Sequence, residues 1–294
     1  MTTTLSTIIE IDKEKCINCH ACIAVCPVKY CNDGSGDYIA VNADLCIACG
    51  SCIDACSHDA RKYIDDTSRF FEDLRLRVPM VAVVAPSVAA NFRDNYLRLN
   101  GYLKDIGISA VFDVSFGAEL TIKSYLEYAA KEKPVSIISQ PCPSIVSYIE
   151  LYQPELIPVL APVDSPVMHT IKMIKTFYKE YQNHKIVFIS PCASKRREFE
   201  EVQTGDYVVT IKKLNQYFID HKIVLDNFPE VEFDNPPAER AVLFSTPGGL
   251  LQTAIRENPE IVNVTRKIEG AATIYQYLEK LPTMINKGFS PFLI

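Results

Sequence analysis

The rhythm of hydrophobic and polar positions changes near residue 78. Downstream, apolar runs alternate with amphipathic stretches, and VPMVAVVAPS (78–87), apolar and bounded by prolines, predicts a buried strand. Further strands are predicted near 110–114, 135–139, 185–190, 207–210 and 241–245, with helices between them. Such alternation argues for an α/β domain with a mainly parallel sheet and right-handed crossovers. Three strand ends run into special residues: SQPCPS (139–144), SPCASK (190–195) and STPGGL (245–250). Ligands of open α/β sheets gather at the carboxyl ends of strands, so these segments are expected to converge on one site.

Upstream the rhythm is a short imperfect repeat. IDKEKCINCHACIAVCP (11–27) is echoed by VNADLCIACGSCIDACS (41–57), which means two equivalent sites. Apolar stretches at 7–11 and 38–41 precede the cysteine runs and read as strands, and NDGSGD (32–37) is a turn by composition. The polar stretch 60–77 reads as helical and leads into the second part.

A length of 294 residues fits about two domains, and a hydrophobic content of 48% supports globular folding. The formal net charge of -6 offers no basic field for nucleic acid or an anionic membrane. The first ten residues lack the marks of a secretory leader, and no apolar run approaches the roughly 20 residues that span a bilayer. The expected setting is cytoplasmic, with neither nucleic acid nor membrane as partner.

Cysteine placement changes the picture more. Of eleven cysteines, all but Cys142 and Cys192 lie between Cys16 and Cys56, a clustering that signals metal binding rather than a disulfide scaffold. Cys16, Cys19, Cys22 and Cys26 followed by Pro27 match the bacterial ferredoxin run C-x2-C-x2-C-x3-C-P, and Cys46, Cys49, Cys52 and Cys56 repeat its spacing. In such tandem runs three thiolates wrap one cubane and the fourth ligates the other. Cys16, Cys19, Cys22 and Cys56 are therefore expected to hold one 4Fe-4S cluster, and Cys46, Cys49, Cys52 and Cys26 the second. Structural zinc is the competing reading, although zinc seldom requires eight cysteines in this cadence. Ser57 replaces the proline expected after the second run and removes no ligand. Cys31, outside both runs, reads as a free, partly buried thiol, a ligand role being the alternative. His20 and His58 read as surface residues beside ligands, the alternative being donors that tune the cluster.

The expected architecture is an α+β ferredoxin-like module over 1–66, a linker helix over 67–77 and the α/β domain over 78–294. In that domain Cys142 and Cys192 each follow a proline at a predicted strand-to-helix turn, where helix-start amides stabilise thiolates or anionic ligands. They are paired candidates for metal ligation; the alternative is two buried cysteines in turns. TPGGLLQTA (246–254) lacks the spacing of a phosphate loop and reads as a helix start near the cofactor pocket. FPEVEFDNPPAER (228–240) reads as a surface connection, and His169, His184 and His221 as surface or capping residues.

From about Pro79 onward the chain resembles the FeFe (iron-only) hydrogenases. Their motif P-C-x-x-K-x-x-E is met at Pro191, Cys192, Lys195 and Glu198, and their T-S-C-C-P motif at Cys142 and Pro143 alone. Weaker agreement runs through VAPSVA (84–89), VFDVSFGAELTI (111–122), DSPVM (164–168) and FSTPGG (244–249). The resemblance implies that Cys142 and Cys192 ligate the cubane of an H-cluster, a 4Fe-4S cluster bridged to a di-iron unit carrying CO and cyanide. It implies that Lys195 offers its ammonium to a cyanide, and that Glu198, the other catalytic candidate, relays protons. A solvated helix face is the alternative for both.

The sequence departs from the family in three places. Pro141 stands where active members carry a proton-shuttling cysteine, and 123–128 (KSYLEY) replaces most of their proton-path acids. The SQPCP form resembles the sensory branch, in which the domain senses H2 for a signalling domain. The final glycine-rich motif, with two cysteines that complete the cubane's ligands, is not reached by Ile294; KGFSPFLI (287–294) looks like its lead-in, so the α/β domain is expected to be C-terminally incomplete. The implied function is an iron-sulfur electron-transfer protein, a sensory or low-activity hydrogenase (H2 = 2 H+ + 2 e-) when complete. The resemblance implies an anaerobic setting, a redox partner protein and a downstream signalling domain. The alternatives are a non-catalytic electron-transfer or redox-sensing module, or a relative used in iron-sulfur assembly.

Overall fold

In the computed structural model, which describes residues 5–139 and 141–293, each cysteine run ends in a single helical turn. The module comprises β1 (Ile9–Ile11), α1 (Ala21–Ala24), β2 (Asn32–Asp33), β3 (Ala40–Val41), α2 (Ser51–Asp54) and β4 (Arg61–Tyr63). Strands β2 and β3 form a hairpin, and β4 returns to pair antiparallel with β1, Ile9 opposite Tyr63. Strand β4 corrects the helical reading of 60–77 over its first residues. Arg61 is buried and its Nη2 donates to the Ile39 carbonyl at 3.2 Å, while Lys62 points outward, so a period-two alternation is written here in polar residues.

The remaining elements are α3 (Thr67–Arg75), β5 (Met80–Val84), α4 (Val88–Phe92), α5 (Tyr96–Asp105), β6 (Val111–Asp113), α6 (Val114–Glu132), β7 (Ile137–Ile138) and α7 (Pro143–Tyr152). There follow α8 (Pro166–Phe177), β8 (Lys185–Ser190), α9 (Lys195–Val202), β9 (Tyr207–Thr210), α10 (Ile211–Asp220), α11 (Gly249–Glu257), α12 (Ile261–Val264), β10 (Thr265–Arg266), α13 (Ala271–Asn286) and β11 (Phe292–Leu293).

Strands β6, β5, β8 and β9 lie side by side, all parallel. Every residue of β5 is buried, and alternate residues serve different cores: Met80, Ala82 and Val84 face one with Val187, Ile189 and Leu99, while Val81 and Val83 face another with Ile186, Phe188 and Ile171. A sheet covered on both faces explains the continuous apolar runs. Both edges are blunted by polar side chains. Asp234 and Asn235 of the 228–240 connection accept from the Val111 and Asp113 amides at 2.7 Å each, and Asp66 accepts from Val208 at 3.0 Å on the opposite edge. Helix α3 buries Phe70 and Phe71 in the first core, beside β9.

Strands β10, β11 and β7 form a second parallel sheet. The strand expected at 241–245 is instead a 3-10 turn at Ala241–Leu243. The reason is a contact distant in sequence: one oxygen of Glu119 on α6 accepts from the amides of Glu239, Arg240 and Ala241 at 2.6, 2.8 and 3.3 Å, and the Leu243 and Phe244 amides bond back to the Arg240 and Ala241 carbonyls, so these donors are already satisfied. The chain then turns at Gly248 (φ +74) into α11, where a Cβ on Gly249 would lie 1.7 Å from the Leu243 carbonyl oxygen. Among the described residues no helix is long and apolar enough to cross a membrane.

Candidate metal centre

The sequence repeat is a repeat of backbone conformation. Asn18 and His20 in the first cysteine loop, and Ala48 and Gly50 in the second, all have positive φ (53, 65, 57 and 85°). Left-handed residues between cysteines curl the chain so that its amides face inward, the geometry that stabilises an anionic iron-sulfur centre. The Ala48 amide lies 3.3 Å from Cys46 Sγ, and the Ile39 amide 3.5 Å from Cys16 Sγ.

All eleven cysteines are free. Cys26, Cys46, Cys49 and Cys52 line one internal cavity together with Cys31, Ile47 and Arg61. Cys16 and Cys22 lie within each other's electrostatic reach, Cys19 is exposed and Cys56 half-buried. Burial pushes the Cys49 thiol up and the Cys52 thiol up to about 11, the Arg61 guanidinium opposing the latter. Soft, partly buried thiols with inward amides and a nearby cation fit a cubane. Among the described residues no three His, Cys, Asp or Glu side chains converge to hold a single ion; a cubane asks for less, because each thiolate takes its own iron.

Cys31 differs from its expected place. It is 3% exposed rather than partly buried, and its Sγ stands 3.7 Å from that of Cys26. Its thiol lowers Cys26 to about 6 and Cys46 to about 7 by hydrogen bonding to each, and is itself driven upward by the same two contacts. His20 and His58 are exposed.

In the larger domain the chain runs from β5 to β6 on one side and reaches β8 on the other, so β5 and β8 flank the switch point of the sheet. Cys192 follows β8 directly. Its amide donates to Ser190 Oγ at 3.1 Å, and its Sγ lies 2.8 Å from Ser194 Oγ. Cys142 follows β7 and is the N-cap of α7, with Pro143 at the first helical position. Burial raises the Cys142 thiol, the nearby Cys192 adds to the rise and Lys195 opposes it, which places the three groups together. Lys195 is 9% exposed and its Nζ meets Glu198 Oε2 at 2.5 Å. Glu198 in turn lines a cleft of about 450 Å³ with Pro141, Asp164, Lys172 and Glu201. A smaller, mostly apolar recess of about 110 Å³, lined by Pro141, Cys142, Ile274 and Leu278, lies on the other side of Pro141.

Two of the three strand-end segments therefore meet. The third, 245–250, is absent from the residues lining either space; Leu250 packs with Ile122, Tyr125 and Ala254 instead. Gln140 lies outside the described residues. Among the histidines, His221 bonds the Tyr217 carbonyl from an exposed position, His184 packs edge-on against Tyr181, and burial pushes His169 down.

Three residues that the sequence did not single out join the two parts. Arg197, 3% exposed, donates to the carbonyls of Ser6, Ala43 and Cys46, tying α9 to the second cysteine loop. Tyr63 feels the charges of Cys192, Cys49 and Cys52, and Tyr275 those of Cys49, Cys142 and Cys192; burial is the main cause of the raised hydroxyl in both. Both tyrosines thus lie within reach of Cys49 in the second cysteine set and of Cys192, and Tyr275 within reach of Cys142 as well. Nothing local marks Arg197 within the charged run SKRREFEE, or Tyr275 within an ordinary amphipathic helix. The one available signal was the missing polar complement to so many loop carbonyls beside the cysteines.

Residues 78–287 match the family described as iron only hydrogenase large subunit, C-terminal domain, and residues 8–57 the 4Fe-4S dicluster domain. Iron hydrogenase 1 of Clostridium pasteurianum is 26% identical over 222 residues, covering 64% of this chain and 39% of that protein. The cytosolic Fe-S cluster assembly factor NAR1 of Vanderwaltozyma polyspora is 33% identical over 117 residues, 38% of this chain and 22% of that one. The chain thus spans about two fifths or less of the length of these relatives. A solved [FeFe]-hydrogenase, described for oxygen inactivation through modification and degradation of its H cluster 2Fe subcluster, superposes with a TM-score of 0.55 at 25% identity. The match covers 67% of this chain and 59% of that structure. Led by a 4Fe-4S dicluster module, the chain belongs to the iron-only hydrogenase large-subunit family.

Proposed function

We propose that the protein carries electrons through its two 4Fe-4S clusters to a hydrogenase-type centre at Cys142 and Cys192, acting as a sensory or low-activity hydrogenase when all ligands of that centre are present. The observation that carries this reading is the shared neighbourhood of Cys49, Cys142 and Cys192 around Tyr275. It makes the cluster on Cys26, Cys46, Cys49 and Cys52 the proximal one. The cluster on Cys16, Cys19, Cys22 and Cys56, with Cys19 exposed, is the entry point for a redox partner protein in the cytoplasm.

A bound H-cluster would supply the activation of H2, and this chain's residues would hold and serve it. Cys142 and Cys192 provide two of the four thiolates a cubane takes. Lys195, already held by Glu198, has two further protons for an anionic ligand. Glu198 passes protons toward the 450 Å³ cleft, where Glu201 follows one helical turn later with its carboxyl raised by burial. Pro141 offers no titratable atom between Cys142 and that cleft, which favours slow turnover and a sensing role reported to a signalling domain.

The test is an infrared spectrum of anaerobic protein co-produced with hydrogenase maturation enzymes. CO and cyanide stretches that shift under H2 support the proposal; their absence, with iron for the two ferredoxin clusters alone, refutes it. The second outcome would favour a non-catalytic electron-transfer, redox-sensing or iron-sulfur assembly role, to which the similarity with the NAR1 assembly factor lends support.

A further inference from the structure

We propose that Cys31 is an exchangeable fifth ligand of the proximal cluster, able to take the iron of Cys26. The inference rests on the two-cubane reading of the module and concerns a thiol outside both cysteine runs.

Cys31 is brought to the cluster cavity by its backbone. After Cys26 the chain reverses through Lys29 (φ +50), and the Asn32 amide closes the turn on the Lys29 carbonyl at 3.0 Å. The far side is pinned as well, because the Asn42 amide donates to the Cys31 carbonyl at 2.7 Å where β2 meets β3. Held at both ends, the side chain points into the cavity lined by Cys26, Cys46, Cys49 and Cys52. Its sulfur is 3.7 Å from Cys26 Sγ, about the width of one van der Waals contact. Asn32 Nδ2 reaches the same sulfur at 3.4 Å, the kind of donor that supports a ligating thiolate. A thiol serving only as packing has no need to aim at the ligand set.

The exchange balances without an electron. The bond from iron to the Cys26 sulfur breaks, the bond to the Cys31 sulfur forms, and the proton leaving the Cys31 thiol is taken up by the freed Cys26 thiolate. Where residue 26 has no thiol, that proton goes to solvent.

The experiment compares the full chain with Cys26→Ala, Cys31→Ala and the double variant. Each is reconstituted anaerobically with iron and sulfide and read by iron content and by electron paramagnetic resonance after reduction. Wild type and both single variants are expected to hold about eight irons, and the double variant about four, the distal cluster reporting that the module still folds. The Cys26→Ala signal is expected to shift in g-values, and Cys26→Val, which brings no ligating atom, serves where alanine unfolds the module. A Cys26 variant that falls to about four irons, as the double does, overturns the proposal. So does a double variant that keeps about eight, since solvent would then fill the corner. Wild type with fewer than about eight irons would overturn the two-cubane reading itself.

Discussion

Arg197 offers the sharpest quantitative test of how the two parts are joined. Its guanidinium is nearly fully buried and donates to three carbonyls: Ser6 from Nε and Nη2 at 3.3 and 3.1 Å, Ala43 from Nη2 at 3.1 Å and Cys46 from Nη1. Hydrogen bonds from a charged donor contribute roughly 1.5–3 kcal/mol each, and burial of the cation offsets part of that sum. Truncation also leaves carbonyls in need of water. A net loss of about 3 kcal/mol for Arg197→Met follows, equivalent to a rise of about a hundredfold in local opening of the second cysteine loop. Methionine keeps the apolar stem's packing, so the loss reports on the donors. Lysine, with one compact ammonium, should restore about half of the energy. Hydrogen exchange in the cluster-loaded protein reads this directly at the amides of Cys46 and Ala48, which are held by the Ala43 carbonyl and the Cys46 sulfur. A change of less than about threefold in Arg197→Met would refute the idea that the guanidinium staples the loop to α9.

Three further outcomes follow from the same packing. Gly50→Ala puts a Cβ 1.8 Å from Tyr63 Oη at φ +85, so iron retention by the proximal cluster should fall, and Tyr63→Phe in the same chain should recover part of it in an iron assay. Chelation of iron should unfold the module, whose core is built around Cys22, Cys26, Cys46 and Cys52, while hydrogen exchange still finds the β5–β8 amides protected. Burial raises the Asp113 carboxyl despite the 2.8 Å bond from the Ser115 amide, so the folded state favours the proton. Its contribution to stability is present below the ordinary carboxylate range and is lost as pH rises through the raised value; Asp113→Asn, which keeps the cap, should flatten that decline in denaturant midpoints, whereas Asp113→Ala should cost about 1 kcal/mol.

Where chemistry or burial fixed residue identity, the sequence was legible. The apolar run at 80–84 is buried on both sides and could be little else, and the cysteine repeat reads as two equivalent sites, whose paired positions Asn18 and Ala48 share a left-handed backbone. Strand β4 was hidden because its inward residues, Arg61 and Tyr63, satisfy the interior with stems and polar tips. The turn at 241–243 was hidden because Glu119, more than a hundred residues earlier, supplies its acceptor. Cys31 was misplaced for a similar reason: spacing along the chain cannot show that a left-handed Lys29 folds the next thiol back toward the first run. The Cys142 and Cys192 turns were visible, while the tyrosines between them and the module arise from α13 and β4, which only tertiary packing brings together.

Helix α3 has a bearing on modularity. Asp65 binds the Thr210 amide and hydroxyl at 2.9 and 2.6 Å, Asp66 exchanges hydrogen bonds with Val208, and Phe70 and Phe71 fill the sheet's core. The connection is thus fastened to the hydrogenase-type domain as firmly as one of its own strands. Any recombination that gives this domain a different cysteine-bearing module must carry residues 65–77 with the sheet and must supply carbonyls for Arg197. An exchange that also replaced residues 65–77 would open an edge of β9 and expose two phenylalanines, so the packing sets the boundary of any such exchange just before Asp65.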